Sequence, residues 1–155
     1  MDNDASVSFL APLDLTLAGA FWDKVAADVD NQQRIVLTAH APEDGRLIGT
    51  AQLAFASVPN GRHRAEVQKM LVLRSARRQG IARALLLVLD EVARAAGKSL
   101  LVLDTARGGG AETLYESCGY VRVGAIPDYA LAPYVGYVDT IIFYKVLDEV
   151  TATRS

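Results

Sequence analysis

The hydrophobic residues fall in patterns that predict helices and strands in an order typical of an α/β protein. Apolar residues recur every four positions from about Leu15 to Val29, which predicts a helix with one apolar face. Stretches rich in apolar and β-branched residues follow at 34–41, 47–58 and 65–73, with turn sequences between them. These stretches predict three antiparallel strands joined by hairpins. The apolar positions of the helix are Leu17, Phe21, Val25 and Val29.

The second half of the chain predicts a βαβ unit. Apolar residues spaced by three and four predict an amphipathic helix over 80–96, and Gly97 ends it. The apolar run at 99–103 is typical of a short strand buried on both faces. We expect this strand to lie parallel to strand 65–73, because the crossover helix joins the two. A helix and two strands complete the predicted elements, at 111–117, 120–124 and 140–147.

These elements predict a single α/β domain over residues 1–155, with a mixed sheet and helices on its faces. The net charge of -2 gives no electrostatic basis for nucleic-acid binding. The first residues lack the pattern of a signal peptide, and the longest apolar run is too short to span a membrane. We expect the single cysteine, Cys118, to be a buried small residue, with no disulfide and no thiolate metal site. This composition fits a cytoplasmic protein.

One segment has the features of an anion site. Strand 65–73 runs through Arg77 and Arg78 into Gly80, which opens the helix at 80–96. The first N–H groups of a helix have no partner within it, and the helix dipole adds partial positive charge there. Gly80 has no Cβ, so a phosphate can approach the backbone closely, and the two arginines add further positive charge. Together these features suit a pyrophosphate.

Other motifs and basic residues give less information about the ligand. The chain contains neither a P-loop nor a G-x-G-x-x-G dinucleotide motif after a first strand. The three glycines at 108–110 lack that spacing and are interpreted as a flexible turn. Basic residues cluster in two places, which suits either a small anionic ligand or a solvated face. The clusters are Arg62, His63 and Arg64, and Arg74, Arg77, Arg78 and Arg83.

The pattern Arg77-x-x-Gly80-x-Ala82 resembles the [Q/R]-x-x-G-x-[G/A] signature of the GNAT N-acetyltransferases. The flanking segments 67–73 and 113–120 resemble that family's fourth strand and its x-x-Y-x-x-x-G-[F/Y] segment. Within the family, the sequences at 65–69 and 103–105 are most similar to the tabtoxin-resistance acetyltransferases. The resemblance implies a GNAT fold with a mixed, mostly antiparallel central sheet flanked by helices.

The resemblance also implies acetyl-CoA as co-substrate and no metal. Its pyrophosphate would bind the signature loop, and its pantetheine would pair with the end of strand 65–73 like an added strand. Thr105 is the nearest equivalent of an asparagine that contacts the coenzyme in many relatives. The implied coenzyme-binding residues are Met70, Leu71, Val72, Arg77, Arg78, Gln79, Gly80, Ile81, Ala82 and Thr105.

Three residues are candidates for the chemistry of such an enzyme. Glu66 and Asp104 are candidate bases that accept a proton from an amine, and Tyr115 is a candidate acid that protonates the leaving thiolate. Each has a structural alternative. Glu66 fits a solvated strand edge, and Asp104 fits a turn or helix cap just past a strand. Tyr115 fits a core tyrosine whose hydroxyl reaches solvent.

The sequence leaves the acceptor open. The resemblance favours the primary amine of a small, amino-acid-like molecule; a protein amino group and a non-catalytic CoA-binding module are the alternatives. Three tyrosines in the loop between strands 120–124 and 140–147 either line an acceptor pocket or cover the core; they are Tyr129, Tyr134 and Tyr137. The opening strand and helix of the family are missing or reduced to Val7–Leu10. Either the fold tolerates a shorter sheet, or a second copy covers the exposed sheet edge, or the true start lies upstream; the exposed edge favours a homodimer.

Overall fold

A computed structural model describes residues 14–148 of the chain. Three α-helices and one six-stranded sheet form the described domain. In chain order the elements are α1 (Leu15–Asp30), β1 (Arg34–His40), β2 (Leu47–Phe55), β3 (Arg64–Val72), α2 (Ile81–Ala95), β4 (Leu100–Ala106), α3 (Ala111–Ser117), β5 (Val121–Ala132) and β6 (Gly136–Val146). None of the helices in this part of the chain is long and apolar enough to cross a membrane.

The strand order is β1-β2-β3-β4-β6-β5. Within the described sheet β3 and β4 are parallel and the other neighbouring strands are antiparallel. The mixed, mostly antiparallel sheet, the three-stranded meander and the parallel βαβ pair are therefore confirmed.

The two middle strands separate part-way along their length. Their parallel pairing joins Arg64–Glu66 to Leu100–Val102 and goes no further among the described residues. Beyond Glu66, a bulge interrupts the pairing of β3 with β2, because Gln68 lies opposite Gln52 while the next pair joins Leu71 to Thr50. Such an extra residue bends a strand. The bend opens a cleft between the carboxyl ends of β3 and β4.

The two faces of the sheet are covered by different helices. On one face, α2 and α3 pack on β-strand residues with 0% exposure such as Leu53, Leu101 and Phe143. Strand alternation turns their neighbours to the other face, where Arg34 of β1 contacts Asp28 of α1. The α2–α3 face is therefore the main core, and the α1 face is more polar. Cys118 is a free, buried thiol, as predicted.

The predicted loop between strands 120–124 and 140–147 is wrong. Instead, β5 and β6 form a long hairpin that ends at Ala132 and Gly136. Pro127 lies in a bulge, since Ile126 pairs with Thr140 and the next pair joins Ala130 to Val138. The proline therefore takes no place in the ladder, and β5 is an edge strand, where proline is tolerated.

The apolar face predicted for the first helix is only partly buried within the described part of the chain. Val25 is buried, but Leu17 is 63% exposed and Val29 is 39% exposed. Periodicity identifies the face of a helix, and its burial depends on what packs there. The predicted remnant strand at Val7–Leu10 lies outside the described residues.

Candidate active site

The cleft between β3 and β4 continues into a cavity of about 1260 Å³. The start of α2, helix α3 and the β5–β6 hairpin complete its walls. Of the residues predicted from the sequence, all but Gln79 line this cavity. Those lining it are Glu66, Met70, Leu71, Val72, Arg77, Arg78, Gly80, Ile81, Ala82, Asp104, Thr105 and Tyr115.

The loop that ends at Gly80 forms one end of the cavity. Arg78 and Gly80 both have left-handed backbone conformations, with φ of 62° and 78°. Gly80 is the N-cap of α2, and no acidic residue lies in the first helical turn to occupy its N–H groups. A Cβ added to Gly80 would meet no protein atom within 4 Å, so the space beside it is open to a ligand. A helix start of this kind binds phosphate.

The basic residues near this loop have different roles. The Nε of Arg77 donates to the carbonyl of Val72 (3.2 Å), which fixes the loop to the end of β3. Arg83 donates to the hydroxyl of Ser117 (2.6 Å) and joins α2 to α3. Arg78 is exposed and lines the cavity. The other predicted basic cluster, residues 62–64, is not part of the cavity lining, because it lies at the opposite end of β3.

The two candidate carboxylates lie on the same face of neighbouring strands. Glu66 is half-buried on β3, opposite Val102 in the parallel ladder, and Asp104 lies two residues further along β4. The Thr140 hydroxyl lies 3.2 Å from Asp104 Oδ2 and also donates to the carbonyl of Thr105 at 3.0 Å. The predicted strand end at 103 is wrong, since β4 continues to Ala106 and Asp104 pairs with Ile142. Asp104 is therefore neither a turn residue nor a helix cap.

Tyr115 reaches the cavity from the opposite face of the sheet. It lies on α3, is only 6% exposed, and its ring packs against those of Tyr120 and Phe143, each at a centroid distance of 5.8 Å. Burial raises the pKa of Tyr115 to about 12, and the nearby Asp104 and Cys118 add to the shift. The phenol is therefore protonated at neutral pH and can act as a hydrogen-bond or proton donor.

The sequence pattern of the Acetyltransferase (GNAT) family matches residues 4–120 of this chain. The match covers most of the chain and includes β3, the loop ending at Gly80 and Tyr115. The chain belongs to the GNAT family.

Solved structures agree with this assignment. The chain is similar to the ribosomal-protein-alanine N-acetyltransferase of Brucella melitensis, with 26% identity, a TM-score of 0.71 and coverage of 87% of this chain and 80% of that one. It is similar in fold to yncA of Salmonella typhimurium, a structure with its cofactor acetyl-CoA (22% identity, TM-score 0.72, 90% and 78% coverage). It also resembles in fold the ribosomal-protein-S18-alanine N-acetyltransferase of Escherichia coli (21%, 0.69, 86% and 81%). The protein is an acetyl-CoA-dependent N-acetyltransferase, and acetyl-CoA is its co-substrate.

Two features of the cleft in this GNAT domain suit acetyl-CoA. An uncapped helix start with an open approach at Gly80 suits the pyrophosphate, and the splayed edge of β3 from Met70 to Val72 suits an extended chain. Among residues 14–148, no group of three His, Cys, Asp or Glu side chains is placed to hold a metal ion.

Lys69 is a cleft residue of this GNAT domain that the sequence did not single out. It occupies the β3 bulge with φ of 50°, and its Nζ lies 5.1 Å from the centre of the Phe21 ring on α1. Burial lowers the pKa of Lys69, with a further contribution from Arg34; Asp104 and Glu66 oppose the shift. The bulge turns Lys69 to the α1 face, where both carboxylates lie. No residue pattern in the sequence marks this bulge.

The hairpin contributes one tyrosine to the GNAT cleft. Tyr129 lies in the β5 bulge and lines the cavity, whereas Tyr134 and Tyr137 do not. Asp139 holds the bulge, because its carboxylate accepts from the backbone N–H of Asp128 (3.2 Å) and from Arg107 (3.1 Å). Of the two interpretations of the three tyrosines, the pocket-lining one therefore applies to Tyr129 alone.

Proposed function

We propose that this enzyme acetylates the primary amine of a small, amino-acid-like acceptor by direct attack on the thioester of acetyl-CoA. The observation that carries the proposal is the arrangement around the cleft. Glu66 and Asp104 lie on one face of the splayed strands, and the protonated phenol of Tyr115 lies on the other. A proton acceptor and a proton donor thus flank the place where the thioester would lie. We base the amino-acid-like acceptor on the resemblance of residues 65–69 and 103–105 to the tabtoxin-resistance acetyltransferases.

Glu66 and Asp104 prepare the acceptor in this mechanism. An ammonium ion cannot attack a carbonyl, so one carboxylate takes its first proton, directly or through water. The neutral nitrogen then forms a bond to the acetyl carbon, and the carbon–sulfur bond breaks. The nitrogen loses a second proton, while Tyr115 gives its proton to the departing sulfur. One proton is released to solvent overall, and the second amine proton restores Tyr115.

The coenzyme would lie along the elements named above. The N–H groups of residues 78–82 would bind its pyrophosphate, and the exposed edge of Met70–Val72 would pair with its pantetheine. Thr105 would contact it from β4. Arg77 acts here as a positioning residue, because its guanidinium is bonded to the carbonyl of Val72.

Calorimetric titration with acetyl-CoA, followed by a screen of primary amines with thiol release as the signal, tests the proposal. We expect Glu66→Gln and Tyr115→Phe each to lower kcat about a hundredfold or more, with acetyl-CoA affinity unchanged within about twofold. Unaltered turnover in Tyr115→Phe would remove the acid role, and unaltered turnover in both Glu66→Gln and Asp104→Asn would remove the base role.

A different acceptor predicts a different result in the same assays. A protein amino group as acceptor is supported by the 26% identity to the ribosomal-protein-alanine N-acetyltransferase of Brucella melitensis. It predicts transfer to the amino terminus of a peptide and none to small amines.

We also propose that the enzyme is cytoplasmic and forms a homodimer. The free thiol of Cys118 fits a reducing compartment. Within the described sheet β1 is an edge strand, and its outer backbone groups could pair with those of a second copy of the chain. Light scattering after size-exclusion chromatography tests the dimer, and a monomer at micromolar concentration would rule it out.

A further inference from the structure

A shared arginine fixes the amide orientation of Gln68 in the cleft. Arg34 Nη1 donates to Gln52 Oε1 (2.9 Å) and to Gln68 Oε1 (2.8 Å). A guanidinium has only donors, so each glutamine must present its oxygen to Arg34. The amide nitrogens of both glutamines consequently point away from the arginine.

Arg34 is itself firmly held. Its side chain is 11% exposed, and its Nε and Nη2 both donate to Asp28 Oδ2 of α1, at 3.3 and 3.2 Å. The guanidinium therefore connects α1, β2 and β3 on one face of the sheet, and neither glutamine can turn its amide over without losing a charge-assisted hydrogen bond.

The two amide nitrogens differ in what they can reach. Gln52 is fully buried, and its Nε2 has no hydrogen-bond partner. Gln68 is half-buried and lines the cavity. No described residue accepts a hydrogen bond from Gln68 Nε2, so its two N–H groups are available to a molecule in the cleft.

We propose that the Gln68 amide donates a hydrogen bond to an oxygen atom of the acceptor. This inference rests on the proposed acetyl transfer and narrows the acceptor to amines that carry a carbonyl, carboxylate or hydroxyl oxygen near the nitrogen. Gln68 and Glu66 lie on the same face of β3, two residues or about 7 Å apart. The acceptor nitrogen lies at Glu66 and its oxygen at Gln68, so these two contacts select for a short spacing between the nitrogen and the oxygen of the acceptor. Arg34 acts as the positioning residue that aims the amide.

Substitutions at Gln68 have a matched control on the next strand. Gln68→Glu keeps an oxygen for Arg34 and removes both donors, and Gln68→Met removes the donors without adding charge. Gln52→Glu adds the same charge against the same arginine nitrogen, at a residue that does not line the cavity. Variants of both residues are first checked for a cooperative unfolding transition.

The probes are two pairs of amines, leucinamide with 3-methylbutylamine and phenylalaninamide with 2-phenylethylamine. Members of a pair differ only in the carboxamide. Their dissociation constants are measured calorimetrically for the enzyme saturated with CoA, and acetylation of the same amines is measured separately. We expect the wild type and Gln52→Glu to bind the carboxamide member about tenfold more tightly, and both Gln68 variants to lose that preference to within about twofold.

Three outcomes of the amine-binding measurements would overturn the inference. These are equal affinity within each pair for the wild type, a preference that survives in both Gln68 variants, and no binding of any of the four amines. An effect of Gln68→Glu on the affinity for acetyl-CoA but not for CoA would also overturn it, because the oxygen would then belong to the thioester. If the wild type binds the carboxamide amines more tightly but acetylates none of them, the result would contradict the proposed function and still support the hydrogen bond from Gln68.

Discussion

Tyr115 shows how a single buried side chain connects the fold to the chemistry. Its ring belongs to the core on the α2–α3 face, while the residue also lines the cavity. The burial that stabilises the ring also raises the pKa of its hydroxyl to about 12. A proton donor of this kind keeps its proton throughout the neutral range, so its contribution to catalysis should not titrate there.

The stability of the protein at alkaline pH should depend on Tyr115. Its folded pKa of about 12 lies above the unfolded value of 10, so the neutral phenol stabilises the fold below pH 10. The contribution is lost as the pH rises from 10 to 12 and amounts to about 2–3 kcal/mol. Urea unfolding at about pH 9 and about pH 11.5 should show a smaller loss for Tyr115→Phe than for the wild type. An equal loss in both proteins would place the alkaline sensitivity elsewhere.

Gly80 and Gly97 offer a matched test of whether the loop that ends at Gly80 binds the phosphates of acetyl-CoA. They flank the same helix, have φ of 78° and 75°, and neither has a protein atom within 4 Å of an added Cβ. Alanine at either position should cost about 1 kcal/mol of stability, because of the left-handed conformation. Only Gly80→Ala should lower the affinity for acetyl-CoA, by about tenfold or more in calorimetry. Its added methyl group would fill the space through which the phosphate reaches the backbone. Equal affinity of the two variants would mean that the phosphate lies elsewhere.

The chemistry-bearing residues were predictable from sequence to different degrees. Gly80 and Tyr115 lie in motifs with a fixed spacing, and the structure places both at the cavity. Lys69 could not be predicted as a cleft residue, because strict alternation would put it on the face of β3 opposite Glu66 and Gln68. A bulge turns Lys69 to the α1 face as well, and it is visible only once β3 is paired with β2. The catalytic roles of the residues named from sequence stay predictions.

At the scale of elements, the helices and the first four strands follow from periodicity, whereas the long hairpin does not. Pro127 and the bulge around it hide the alternation of β5, and its residues are mostly exposed on both faces. The position of β6 between β4 and β5 therefore depends on pairing with both strands and not on a local sequence pattern.

A buried ion pair attaches β6 to α2. Lys145 of β6 donates to Asp90 of α2 and also to the Cys118 carbonyl at 2.7 Å.

Removing one partner of the ion pair between α2 and β6 should lower the free energy of unfolding far more than removing both partners. Asp90 is 4% exposed, so Lys145→Met leaves a buried carboxylate uncompensated and should cost about 3–5 kcal/mol. The double variant Asp90→Leu with Lys145→Met removes both charges and should recover most of that loss. Urea unfolding of both variants measures the difference. A double variant no more stable than Lys145→Met would show that the lysine acts mainly through the Cys118 carbonyl.

At the scale of the whole molecule, the described sheet consists of two halves, β1-β2-β3 and β4-β6-β5, and within residues 14–148 the two middle strands pair over three residues each. The short pairing at Arg64–Glu66 holds the halves together at one end and leaves the cleft open at the other. A co-substrate in the cleft contacts both halves. Its binding free energy therefore adds to the stability of the junction between them.

Acetyl-CoA should accordingly protect both walls of the cleft from hydrogen exchange. At a concentration of about 100 times Kd it stabilises the folded state by about 2.7 kcal/mol. Beyond this global effect, we expect the amides of Met70–Val72 to be protected most, because they lie on the edge proposed to pair with pantetheine. Smaller protection should appear at 104–106 on β4, and β1 should show only the global change. At the same ligand concentration, a tenfold weaker Kd should leave Gly80→Ala with about 1.4 kcal/mol of this stabilisation and correspondingly weaker protection, while Gly97→Ala keeps the full effect. Protection confined to the start of α2 would contradict the proposed pantetheine position, because the two halves would then be joined by the phosphate end alone.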